Sequence, residues 1–107
     1  MIYIKVFKSK ADVIEEYKAP ADALDGAVVL LAWYGYGDYC GESLVVFKKD
    51  GKLWEVNGSH CSCMGLEEQW KPEETSWEAL KMRKLDTECD SGAEAQAALN
   101  ALIAKHI

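Results

Sequence analysis

The chain has no long apolar run and carries fewer basic than acidic residues. Its longest apolar segment, residues 27–34, has eight residues, whereas a helix needs about 20 to cross a bilayer. We therefore expect no membrane-spanning segment. Lys and Arg number 12 against 18 Asp and Glu, which gives a net charge of −6. This balance argues against direct binding of nucleic acid or an anionic membrane, because both need a basic face.

Two common sequence signatures are also missing. Residues 35–41 form a glycine and tyrosine loop that lacks the Lys-Ser/Thr pair of a phosphate-binding loop and does not fit the dinucleotide fingerprint. The four cysteines include one Cys-x-Cys pair, whereas zinc knuckles usually have Cys-x-x-Cys spacing.

Residues 1–7 alternate and carry Lys5, which predicts a strand rather than a signal peptide. We therefore expect a cytoplasmic protein with reduced thiols.

The composition is that of a folded protein. Half of the 107 residues are apolar and 28% are charged, which is ordinary for a globular chain. A chain of this length can bury a core without cross-links. We expect one domain over residues 1–107.

The pattern of apolar residues predicts four strands and three helices. Strands are expected near residues 2–7, 27–34, 43–49 and 52–59, and helices near 10–19, 75–84 and 92–106. Strands and helices are segregated along the chain rather than alternating. This order favours an α+β fold in which helices pack on a small antiparallel sheet.

Local signals set several boundaries. Ser9 is a helix cap and Pro20 stops that helix, while Thr75 with Glu78 forms a capping box. Ser91 with Glu94 forms a second box. Asp50 and Gly51, between two apolar runs, are the strongest hairpin signal in the chain. A two-residue turn there pairs Lys49 with Lys52 and puts Cys40 opposite Cys61, whereas a three-residue turn puts Cys40 opposite His60.

Residues 58–80 are the most chemically biased part of the chain. They hold the candidate metal ligands His60, Cys61 and Cys63, and the hairpin brings Cys40 close to them. Zinc binding by these four residues is one hypothesis, although alternation along a strand places His60 on the opposite face from the two thiols. Cys40 acting as a nucleophile, with His60 as base and Asp38 as orienter, is another. The alternative is that the cysteines fill the core.

Aromatic and acidic side chains suggest a binding surface instead. Tyr36 and Tyr39 in the glycine loop, with Tyr34 just before it, could anchor a protein partner, since tyrosines bury a large area at low entropy cost. Glu67 and Glu68 surround Trp70 with negative charge, which suits a basic partner surface. The complete set of candidate binding residues is Tyr34, Tyr36, Asp38, Tyr39, Cys40, His60, Glu67, Glu68 and Trp70.

The segment SHCSC, followed by GLE-x-QW-x-PEET-x-WEAL, resembles a segment of small uncharacterised proteins of bacteriophages and prophages. The resemblance covers mainly residues 34–80 and is most specific over 57–80. It implies a phage-type accessory protein in the host cytoplasm, without an established activity. We therefore expect a non-enzymatic module that binds a host protein with a basic surface. The usual roles of small phage proteins suggest inhibition of a defence complex (anti-CRISPR-like) or of a nucleic-acid-handling complex.

Overall fold

The computed structural model describes residues 2–5, 7–36, 40–61, 66, 68–85 and 92–106. Five strands form one sheet in the order β1-β2-β3-β4-β5, and three helices accompany it, so the predicted α+β class is confirmed. The elements in chain order are β1 (Ile2–Lys5), α1 (Lys10–Tyr17), β2 (Val28–Tyr36), β3 (Cys40–Lys49), β4 (Lys52–Cys61), β5 (Glu73–Glu74), α2 (Trp77–Lys81) and α3 (Gly92–His106). Within the described ranges, no helix is long and apolar enough to cross a membrane.

The sheet is mixed rather than wholly antiparallel. β1 runs parallel to β2, with Ile2 opposite Leu31, while the other three neighbouring pairs are antiparallel. The parallel pair is possible because α1 and its flanking turns provide the long crossover connection that parallel neighbours require. β5 was not predicted. Its two glutamates carry no apolar signal, and the strand exists because the chain pairs there with Trp54 and Glu55 of β4.

The β3–β4 hairpin has the two-residue turn that the sequence predicted. Asp50 and Gly51 both have positive φ, 55° and 75°, as a type I′ turn requires. Lys49 pairs with Lys52, and the ladder continues unbroken to Cys40 opposite Cys61. The three-residue alternative, which placed Cys40 opposite His60, is wrong.

The sheet is buried on both faces, so the fold has three layers. One face packs against α2 and α3, and the other against α1. The first cluster contains Ile4, Leu31, Trp33, Leu44, Val46, Leu80, Leu85, Ala95, Leu99, Leu102 and Ile103. The second contains Phe7, Val13, Tyr17, Leu24, Ala27, Val29, Ala32, Tyr34, Val45, Phe47, Val56 and Leu66.

A bulge in β2 explains how consecutive residues of that strand reach the same layer. The register with β3 shifts between Val29 and Leu31. Val29 packs on the α1 side, whereas Leu30 and Leu31 both pack on the α2–α3 side. An inserted residue resets the alternation of a strand. The apolar run of residues 27–34 therefore includes this irregularity.

The helix starts follow the capping signals with one shift, whereas α1 and α2 end earlier than predicted, at Tyr17 rather than Ala19 and at Lys81 rather than Lys84. Ser9 caps α1 by accepting from the Asp12 amide at 3.4 Å. At α2 the cap is Ser76, not Thr75, and its hydroxyl accepts from the Ala79 amide at 3.1 Å. Thr75 is still tied to the sheet, because its amide donates to the Leu53 carbonyl. The box beginning at Ser91 lies outside the described residues, although α3 spans the predicted range.

One buried hydrogen bond joins α1 to the sheet. The Tyr17 hydroxyl donates to Oγ of Ser43 at 2.7 Å, and both residues are fully buried. Burial raises the pKa of the Tyr17 phenol well above its usual value; the bond to Ser43 opposes this rise and the nearby Tyr34 adds to it. Gly58 of β4 lies beneath this pair, where a Cβ would come within 2.9 Å of both the Tyr17 hydroxyl and Leu66.

We expect Tyr17→Phe to destabilise the protein at neutral pH and to do so less at high pH. Loss of the bond costs about 0.5–1.5 kcal/mol and leaves the Ser43 hydroxyl without its partner. Above the ordinary tyrosine pKa of about 10, the unfolded wild type releases the Tyr17 proton while the folded state retains it. That proton release lowers wild-type stability by about 1.4 kcal/mol per pH unit until the pH reaches the folded-state pKa.

Urea unfolding of both proteins from pH 8 to 11 measures this difference. The difference in the free energy of unfolding between the wild type and Tyr17→Phe should narrow as the pH rises past 10. The other tyrosines are common to both proteins, so their titration does not affect this difference. A gap that stays constant across this range would contradict the raised pKa. The double variant Tyr17→Phe/Ser43→Ala is the control, because it removes the orphaned hydroxyl and should be more stable than Tyr17→Phe alone.

Candidate functional site

Two of the predicted binding residues belong largely to the core. Tyr34 is 4% exposed, and its ring lies 5.7 Å from that of Phe7. Trp70 is half-buried; it stacks on Phe47 at 6.0 Å between ring centres and meets Tyr17 edge-on at 5.3 Å. Tyr34 therefore offers little surface to a partner, whereas Trp70 keeps part of its ring at the surface.

The cysteine and histidine candidates meet at one end of the β3–β4 ladder. The Cα partners there are Cys40 with Cys61 and Gly41 with His60, and Tyr36 of β2 pairs with Gly41 on its other side. Cys63, Asp38, Tyr39 and Glu67 lie outside the described residues. Among the residues that are described, no three His, Cys, Asp or Glu side chains form a metal-binding group.

The segment after β4 returns along the edge of the sheet. The Gln69 side-chain amide donates to the Ser59 carbonyl at 2.7 Å, and its carbonyl accepts from the Ser59 amide at 2.8 Å. This amide therefore substitutes for one rung of a β-ladder. Glu68, which precedes it, is exposed and has φ of 67°. A hollow of about 250 Å³ follows, lined by Asn57, Glu68, Gln69, Lys71 and Glu73.

A second hollow, of about 260 Å³, lies beside the same segment and has aromatic walls. It is lined by Ala23, Phe47, Lys49, Asp50, Trp54 and Pro72. The half-buried Trp54 is held in place because its indole N–H donates to the Lys49 carbonyl at 3.4 Å. The exposed Glu74 pairs with Trp54 across the strands and with Lys52 at 3.5 Å. We call Trp54, Trp70, Glu68, Glu73 and Glu74 the aromatic–acidic surface.

A buried carboxylate is the main polar feature beneath α2. Glu55 of β4 is 1% exposed. Its Oε1 accepts from Nε and Nη2 of Arg83, both at 2.7 Å, and from Nδ2 of Asn57 at 2.6 Å. Its Oε2 is buried without a hydrogen-bond partner. The Arg83 side chain is 43% exposed, so one end of this ion pair is in the core and the other is at the surface.

Strand alternation places Glu55 there. Trp54 and Val56 pack on the α1 side, so Glu55 falls on the α2–α3 side between Leu53 and Asn57. Sequence reasoning missed both Glu55 and Arg83. The available signal was a single acidic residue between Trp and Val in a strand covered on both faces, together with the only arginine of the chain. A carboxylate buried in that way needs a cation.

The helical layer has a groove of its own. A hollow of about 490 Å³ is lined by Lys81, Arg83, Lys84, Leu85, Gln96 and Asn100. An adjoining hollow of about 330 Å³ shares Lys81 and Asn100 and adds Ile103 and Ala104. We call these two hollows together the α2–α3 groove. It has three cationic side chains in a protein whose net charge is −6.

Comparisons with known proteins gave no relative. No protein family, no curated protein and no solved structure matches this chain.

We expect Arg83→Ala to destabilise the protein by about 2–3 kcal/mol. Removing one partner of a buried ion pair leaves an uncompensated charge and typically costs about 3–5 kcal/mol, and the partial exposure of Arg83 reduces that figure. Replacing both partners, as in Glu55→Leu/Arg83→Leu, should recover most of the loss, since no charge is then buried. Chemical denaturation of the three proteins tests this. A double variant less stable than Arg83→Ala would contradict the explanation.

Proposed function

We propose that this protein is a binding module that contacts a partner protein with a basic surface through the aromatic–acidic surface. The observation that carries the proposal is the hollow with walls of Phe47, Trp54 and Pro72 beside exposed glutamates. Rigid aromatic anchors are typical of the energetic centre of protein interfaces, and a charged rim guides association.

The anchors of this surface are held before any partner arrives. Trp70 is fixed by stacking on Phe47, and Trp54 by its bond to the Lys49 carbonyl. A side chain that is already ordered loses little entropy on binding, so more of the contact energy contributes to affinity. Two exposed glutamates, Glu68 and Glu73, add negative charge along one edge of the sheet, and a third, Glu74, is paired with Lys52. Together these features suit a basic partner with a protruding apolar side chain.

The biological setting is part of the same proposal. The resemblance of residues 57–80 to proteins of phages and prophages supports an accessory role in the cytoplasm of a bacterial host. There the partner would be a component of a defence complex, as in anti-CRISPR proteins, or of a nucleic-acid-handling complex. Such complexes carry basic surfaces that bind nucleic acid, and an acidic protein can compete for them.

Affinity capture from a bacterial host lysate tests this proposal. The tagged wild type should retain a defined partner at low salt and release it as the salt concentration rises, because exposed charges are screened. The variant Glu68→Lys/Glu73→Lys should retain at least tenfold less, since both side chains lie on the aromatic–acidic surface and are exposed.

The matched control is Glu15→Lys/Glu94→Lys. It changes the net charge by the same amount at exposed positions in α1 and α3. Retention of the partner by the control, but not by the first variant, would support the assigned surface. Equal loss in both, or no partner for the wild type, would overturn the proposal.

A second candidate function is zinc binding or thiol chemistry at the end of the β3–β4 ladder. One observation favours it: Cys40 and Cys61 are direct backbone partners across the two strands. His60 immediately precedes Cys61 in the same strand, and Cys63 follows closely in the sequence. Four ligands of these types are sufficient for a tetrahedral zinc site.

This candidate predicts one zinc ion per chain in native mass spectrometry. The ion should disappear on chelation and in Cys40→Ser/Cys61→Ser, because two of four ligands are lost. Cys89→Ser, which changes the one cysteine outside the group, should keep the metal. A wild type that binds no zinc after refolding with excess metal would remove this candidate and leave the binding proposal untouched.

A further inference from the structure

The charged side chains that line the described part of the α2–α3 groove are all hydrogen-bond donors. Lys81 and Lys84 are exposed, and neither has a hydrogen bond or ion pair in the described structure. Arg83 uses Nε and Nη2 for Glu55, which leaves Nη1 available. All three side chains line the same hollow of about 490 Å³. Cationic donors without an acid among the described lining residues are suited to an anion.

The side-chain amides of Gln96 and Asn100 also favour donation to a ligand. Oε1 of Gln96 already accepts from the Leu85 amide at 2.7 Å. Oδ1 of Asn100 accepts from Nε2 of Gln96 at 3.1 Å. Both carbonyl oxygens therefore have partners, and Nδ2 of Asn100 remains to donate. Gln96 thus orients Asn100 so that its amide N–H groups, rather than its oxygen, are free for a ligand.

The adjoining hollow is apolar. It shares Lys81 and Asn100 with the cationic part, and its remaining walls are Ile103 and Ala104. A ligand that filled both parts would carry its charge at Lys81, Arg83 and Lys84 and its apolar portion against α3. Each hollow, of about 490 Å³ and 330 Å³, is within the size range of small-molecule sites.

The Glu55 carboxylate holds the Arg83 side chain in a fixed position in this groove. Arg83 is held by two hydrogen bonds to one buried oxygen, so its guanidinium is already in place when a ligand arrives. A surface lysine has to lose side-chain freedom to bind an anion, whereas a restrained arginine loses less. An arginine fixed by a buried acid and flanked by two free lysines is therefore more than a patch of surface charge.

We propose that the α2–α3 groove binds a small organic anion: a carboxylate or phosphate monoester attached to a short apolar chain. This site is separate from the aromatic–acidic surface and does not depend on the proposed function. The two surfaces have opposite charge and would take different ligands.

Titration of the full chain, followed by amide chemical shifts in heteronuclear NMR spectra, tests the proposal. The probes are hexanoate and hexyl phosphate, with butyrate, inorganic phosphate and hexanol for comparison. We expect saturable shifts at Lys81, Arg83, Lys84 and Ile103 with both hexyl anions. Butyrate and inorganic phosphate should bind at least fivefold more weakly, because each lacks part of the apolar portion, and hexanol should not saturate the cationic part.

The variant Lys81→Gln/Lys84→Gln should weaken binding of both hexyl anions at least tenfold. Its matched control is Lys18→Gln/Lys48→Gln, which removes the same charge from exposed positions elsewhere and should bind like the wild type. Tighter binding of hexyl phosphate would assign a phosphate monoester, and tighter binding of hexanoate a carboxylic acid. The absence of saturable shifts, or an equal loss in the control, would overturn the proposal.

Discussion

The register of the β3–β4 hairpin is the constraint on which the rest of the structure depends. Asp50 and Gly51 fix it, because only residues that tolerate positive φ close a two-residue turn of this kind. A slip of one residue would exchange the two faces of a strand. Trp54 and Val56 would then leave the α1 layer, and the Glu55 carboxylate would enter a cluster of aromatic rings with no cation. Two adjacent residues thus decide where the buried charge lies.

Much of this fold could be predicted from the sequence because its signals are local. The α3 helix, the hairpin turn and the Ser9 cap depend on residues a few positions apart. What could not be predicted depends on distant parts of the chain. β1 pairs in parallel only because α1 carries the chain across the sheet, and β5 is a strand only because β4 lies beside it. Similarly, Ser76 rather than Thr75 is the cap of α2, and the Thr75 amide donates to the distant Leu53 carbonyl of β4.

The candidate site residues likewise differ in whether their signals are local or depend on distant parts of the chain. The turn predicted two possible registers for the hairpin, and one of them pairs Cys40 with Cys61. This distant pair could be predicted because the pairing at the turn continues along the whole ladder. Tyr34 ends the apolar run of residues 27–34 and is buried with it, so its position beside the glycine loop was a misleading signal for a binding residue. Arg83 and Glu55 are 28 residues apart. No pattern within a window of ordinary length relates them, so only the assembled layers reveal the pair.

The ion pair also explains how a short helix keeps its place. α2 has five residues, fewer than a helix needs to be stable by itself. Leu80 anchors it through the core, and Arg83, just beyond its end, is tied to β4 through Glu55. Leucines at both positions 55 and 83 could have supplied packing with no desolvated charge and no unpartnered oxygen. The arginine instead keeps 43% of its side chain exposed between Lys81 and Lys84. The proposed anion site uses this exposed part, so the same arginine would anchor α2 and contribute to ligand binding.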